Sequence, residues 1–205
     1  EAVKHHADVV MGNMWLCHQD GSMDKPFKCI SNESIKKLLS GKEGFVELVK
    51  TCFYLPTPVR YIYNRKYLHK IQARFEEGIM HEDELWCPIV LCQAERMAIT
   101  DIEFYYYRQN EESVMHTTSL ARRLKSLFQV TEGLIKFSDQ FVSSKTSVDL
   151  RSWWYVNIFR LYSMTFTLLS RLKDSSYIVH KHYLDRFWRD CGQMIPESIQ
   201  RCRNY

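Results

Sequence analysis

The sequence lacks the closely spaced cysteine pairs that structural zinc sites use, and its seven cysteines are odd in number: Cys17, Cys29, Cys52, Cys87, Cys92, Cys191 and Cys202. Reduced, mostly buried thiols are expected, not a disulfide framework. A basic leader followed by an apolar stretch and a small-residue cleavage site is also lacking, which points away from secretion and toward the cytoplasm. Clustered basic charge is missing too. The formal net charge is +4 with Lys and Arg spread along the chain, so no basic stripe marks a nucleic-acid partner. No internal repeat or low-complexity segment occurs.

Glycine and proline become scarce beyond Thr117, and the two halves of the chain read differently. In the first half, Ala7 to Cys17 is a largely apolar strand followed by a turn at Asp20-Gly21-Ser22, with a second extended run from Phe27 to Ile30. Ser31 to Ser34 offers capping residues for a short helix through Ile35, Leu38 and Leu39. Gly41 to Gly44 separates that helix from another carrying Phe45, Leu48 and Val49. Val59 to Tyr63 alternates as a half-buried strand does. A helix runs from Asp83 to about Glu95, with Pro88 placed early enough to be tolerated. Met97 to Tyr107 returns to strand character, and a polar loop covers Gln109 to Ser113.

In the second half, Leu120, Leu124, Leu127, Phe128, Leu134, Ile135 and Phe141 recur at helical intervals. The next helix, Asp149 to Lys173, is apolar nearly all round, and its Trp153 to Leu172 portion approaches the length of a membrane span. A central arginine costs about 2.5 to 3.5 kcal/mol in such a span. Asn157, Arg160, Ser163, Thr167 and Ser170 also form one narrow polar stripe, so a bundle helix is the expectation. A last helix carries Tyr177, Leu184, Phe187 and Trp188.

The densest constellation of ionisable groups is Glu76-Glu77-Gly78-Ile79-Met80-His81-Glu82-Asp83-Glu84-Leu85-Trp86, with carboxylates crowding a predicted helix start. One reading is structural: acidic residues cap the helix and answer its positive end, each stabilising by about 0.3 to 1 kcal/mol. The other is chemical. A carboxylate held at a helix start and aimed into a cleft can take the proton of an attacking hydroxyl, which is a poor nucleophile until that proton begins to leave.

Val59-Arg60-Tyr61-Ile62-Tyr63-Asn64-Arg65-Lys66-Tyr67-Leu68, followed by Arg74-Phe75-Glu76-Glu77-Gly78-Ile79-Met80-His81-Glu82-Asp83-Glu84, resembles the family 2 glycosyltransferases. In that family an aromatic strand enters a short helix, a Phe-x-x-Gly turn follows, and a Glu-Asp pair opens a helix. Tyr105-Tyr106-Tyr107-Arg108 and then Ser113-Val114-Met115 are similar to the family's tyrosine-rich strand and the loop after it. Ala7 to Asn13 resembles the strand that follows its Asp-x-Asp metal motif. The resemblance covers residues 1 to about 117. An Asp-x-Asp before Ala7 and the Gln-x-x-Arg-Trp signature of processive members are both absent from the chain.

The resemblance implies an α+β chain, predominantly helical overall: residues 1–117 as the acceptor-side half of a GT-A-like domain, and 118–205 as a helical bundle tail. It implies sugar transfer, with inversion, from a nucleotide-sugar donor to a glycan or lipid-linked acceptor in bacterial-type polysaccharide biosynthesis. Asp83 would be the base and Glu82 would orient it. Arg108 and Ser113 would approach the diphosphate, or Arg108 would be a surface or strand-end arginine, and His81 would order the turn. Trp86 would form an acceptor wall, or serve helix packing. His116 would help hold a divalent Mg or Mn ion, or be an exposed loop residue. With most of the nucleotide-binding half missing, the chain alone is expected to bind donor weakly or not at all.

Two other readings remain beside this one. The segment from Leu120 to Cys202 could be a non-enzymatic interaction module, with the acidic turn as its cap. The apolar Trp153 to Leu172 helix could attach the protein peripherally to the inner face of a membrane, where a lipid-linked acceptor resides.

Overall fold

The computed structural model describes residues 6–24, 38–51, 53–109, 118–142, 147–169 and 185. Among these the protein is a mixed α+β chain. The expected strand at 27–30, the caps at 31–34, residues 110–117 and the last helix from Tyr177 to Trp188 lie outside the described residues, apart from Asp185. The chain divides into two compact units. One is Glu1–Glu76 with Trp86–Thr118, and the other is Glu77–Leu85 with Ser119–Tyr205.

The first unit is built on β1 (Val9–Cys17), whose apolar N-terminal half is fully buried. It pairs antiparallel with β2 (Met23–Asp24) and β3 (Tyr61–Tyr63), and in parallel with the long β4 (Met97–Arg108). The parallel pair requires a crossover, which the helical segments between these strands supply. Helix α1 (Gly41–Lys50) starts at Ser40, whose Oγ accepts the Glu43 amide while the Glu43 carboxylate accepts the Ser40 amide at 2.8 Å. This reciprocal cap satisfies two amides that would otherwise lack partners.

The glycines expected to separate two helices instead begin α1. A Cβ on Gly41 would lie 1.8 Å from the Leu91 carbonyl oxygen, so close backbone approach, not helix breaking, explains the residue. Leu39 is correspondingly not helical. It forms an isolated antiparallel bridge with Met97, through bonds of 2.9 and 2.7 Å.

A 3-10 turn at Pro58–Arg60 precedes β3, so the strand is shorter than the alternation from Val59 suggested. Arg60 is 1% exposed, and its Nε and Nη1 donate to the carbonyls of Gly12 and Phe53 at 3.2 and 2.9 Å. Those bonds replace the water a buried guanidinium loses. Asn64 caps the short helix α2 (Arg65–Lys70). Helix α3 (Glu82–Gln93) then contributes Cys87, Val90 and Leu91 to a core shared with Val9, Met11 and Met97. Pro88 is the seventh residue of α3, well past the amides that have no partner in any helix. Its ring removes the bond a residue there would donate to the Glu84 carbonyl.

In the second unit, α4 (Leu120–Phe141) and α5 (Val148–Leu169) bury Leu127, Val130 and Leu134 on one helix and Trp154, Ile158 and Leu161 on the other. Trp154 Nε1 donates to the Leu134 carbonyl at 3.3 Å, and its indole packs 5.2 Å from the Phe137 ring. The polar stripe of α5 is exposed at Arg160, Ser163 and Thr167, but Asn157 is buried. No helix among the described residues is long and apolar enough to cross a membrane. Cys87 and Cys92 are buried and Cys17 is half-buried.

Candidate functional site

Two left-handed residues shape the turn that leads into α3: Gly78 at φ +77 and His81 at φ +59. Glycine adopts the first without steric cost. Histidine is among the non-glycine residues enriched there. Between them the Met80 amide donates to Ser126 Oγ of α4 at 2.9 Å, a buried bond that anchors the turn within the second unit. The helix therefore starts from a fixed point, with Glu82, Asp83 and Glu84 in its first turn.

The three carboxylates meet different surroundings. Glu82 is half-buried. Glu84 is 7% exposed and accepts two bonds from Arg160 of α5, from Nη1 to Oε1 at 3.0 Å and from Nη2 to Oε2. Asn157 Oδ1 in turn accepts from Arg160 Nε and Nη2 at 3.3 and 3.2 Å. Asp83 is half-buried, and its Oδ1 accepts the Glu84 amide at 2.9 Å. Burial pushes its carboxyl up to about 6, the neighbouring Glu84 and Glu82 charges add to the rise, and the amide bond only partly opposes it. The amide does not hold Asp83 strongly ionised, as a cap would. The group is instead a stronger base than an ordinary carboxylate and still mostly ionised at pH 7.

His81 is pushed below the usual histidine value, chiefly by burial, and its ring is neutral at pH 7. Its Nε2, Asn157 Nδ2 and Arg123 Nε are buried without a hydrogen-bond partner among the described residues. His81, Glu82, Asp83 and Glu84 thus share one polar cluster with Arg123, Ser126, Asn157 and Arg160 in the second unit.

Of the other expected site residues, Trp86 and Arg108 belong to the first unit. Trp86 is 8% exposed, stacks on Phe75 at 4.5 Å and meets the Tyr63 ring edge-on. Those contacts give it the packing role. Arg108 ends β4 and is exposed, opposite Cys17 in the register. Ser113 and His116 lie outside the described residues. Among the described residues no three His, Cys, Asp or Glu side chains converge as a metal centre.

Sequence reasoning missed Arg160, Asn157 and Ser126 as members of this cluster. The first two stood out only as part of a polar stripe. Glu84, the partner of Arg160, is 76 residues from it, a separation at which helical periodicity carries no information. No protein-family model matches this sequence, and no curated protein matches it either.

Proposed function

We propose that this chain is the acceptor-side part of an inverting family 2 glycosyltransferase of GT-A type, with Asp83 as its general base. The observation that carries the reading is the division of labour at the start of α3. Glu84 is matched by Arg160, while the adjacent Asp83 makes no ion pair among the described residues and is raised to about 6. A carboxylate so tuned suits removal of a hydroxyl proton near neutral pH. In the proposed reaction the acceptor hydroxyl attacks the anomeric carbon from the face opposite the leaving nucleoside diphosphate. Its proton passes to Asp83 as the new C–O bond forms and the bond to the diphosphate breaks. Further support comes from the element order: an aromatic strand, a short helix, a glycine turn and a helix opening on Glu-Asp occur in the sequence the resemblance requires.

The test uses the longest chain the gene encodes, assayed for nucleoside diphosphate release from a panel of nucleotide-sugars with Mg or Mn and candidate glycan acceptors. Asp83→Asn is expected to lower turnover at least about a hundredfold, as loss of a general base does. Unchanged turnover would remove Asp83 from the mechanism. A second reading, the helical interaction module, is favoured by Asp83 lying in the first turn of α3 and accepting the Glu84 amide, where an acidic residue answers the positive end of the helix. Asparagine preserves that contact, so a stable Asp83→Asn chain without turnover separates the two readings.

A further inference from the structure

Two consecutive carboxylates with opposite fates raise the question of what keeps them apart. Glu84 is grasped by both terminal nitrogens of Arg160, a fork geometry that fixes direction as well as charge. The fork is itself aimed. Asn157 lies one turn earlier on α5, is 1% exposed, and accepts from two guanidinium nitrogens through Oδ1. An arginine held in this way has little rotamer freedom left, so the position of Glu84 is dictated from α5. Asp83 is the next residue along the same turn, and the Glu84 amide is the donor to its Oδ1.

The charge balance points the same way. The titratable and charged groups around this turn are Glu82, Glu84 and His81 on its own segment, Arg123 from α4 and Arg160 from α5. Two carboxylates side by side in a half-buried site cannot both ionise easily unless one is matched. Arg160 matches Glu84.

We propose that Arg160, aimed by Asn157, is a positioning residue for Asp83, acting through Glu84: it anchors and neutralises that neighbour so that Asp83 is the carboxylate left to exchange a proton. The proposal rests on the reading of Asp83 as the base, and it assigns α5 a part in the site that the sequence motifs alone do not.

The test is a carbon-detected NMR titration of the Asp83 carboxyl in the intact chain, comparing wild type, Arg160→Gln and the double variant Glu84→Gln with Arg160→Gln. In Arg160→Gln the two carboxylates should titrate as a coupled pair, with the last ionisation about one pH unit higher than in wild type. In the double variant the neighbouring charge is gone, and Asp83 should ionise at or below the wild-type midpoint. A merely structural role would not reverse sign in this way.

Equal midpoints in all three chains would overturn the proposal, as would an upward shift that the double variant fails to reverse. Should Arg160→Gln not fold, Glu84→Gln replaces it, and a midpoint that does not fall relative to wild type overturns the proposal. The titration needs no turnover. The expected shifts without sugar transfer from any donor would therefore sink the catalytic reading alone, whereas transfer with flat titrations would sink only the role of Arg160.

Discussion

Asp83 trades stability for basicity, and the trade can be measured. Its folded value of about 6 lies above the ordinary 3.8, so the folded chain holds this proton more tightly than the unfolded chain does. The resulting stabilisation is fully present below about pH 4 and is lost as pH rises through 6. Asp83→Asn resembles the protonated form and keeps an oxygen for the Glu84 amide. It should therefore stabilise the protein at pH 7.5, by on the order of 2 kcal/mol, and by little or nothing near pH 4. Urea denaturation at the two pH values checks this. A gain of equal size at both would mean that the carboxyl is not perturbed as described.

Among the elements, α1 shows how packing can overrule local preference. Read by propensity, Gly41 and Gly44 break a helix; in the structure both are in its first turn, where α1 approaches the last turn of α3. Gly41→Ala would gain up to about 1 kcal/mol if intrinsic preference decided the outcome. With a Cβ only 1.8 Å from the Leu91 carbonyl oxygen, the expectation is instead a loss of about 2 kcal/mol or more, read from the shift in the denaturation midpoint. An unchanged or higher midpoint would show that the backbone yields there. The same element explains why Leu39, expected to end a helix, became a bridge to Met97: its amide and carbonyl both go to one partner residue across the unit.

At the scale of the whole molecule, the acidic turn belongs with α4 and α5, although in sequence it interrupts the first unit. Met80 is tied to Ser126, and Glu84 to Arg160, so loosening the helix pair should loosen the turn. Leu127 is completely buried in α4, and Leu127→Ala should weaken its unit by about 3 kcal/mol. Native-state hydrogen exchange should then show faster exchange at Met80 and Glu84, with the amides that join β1 and β4 much less affected. Equal acceleration at both places would mean that the two units open as one.

The sequence by itself determined much of this protein. A largely apolar run marked β1, aromatic strand character marked β4, periodic leucines marked α4, and the Glu-Asp-Glu run marked the start of α3, because each signal is carried by neighbours within one or two turns. The stripe on α5 was legible for the same reason, at Arg160, Ser163 and Thr167. Tertiary structure decided the rest. Which of three adjacent carboxylates is neutralised depends on an arginine 76 residues away, and the choice between Trp86 as a binding wall and as core depends on where Phe75 and Tyr63 place their rings. Burial and counter-charge are properties of the packed chain, and they set the proton affinity of Asp83. Local pattern can locate a carboxylate, but only its three-dimensional surroundings make it a base.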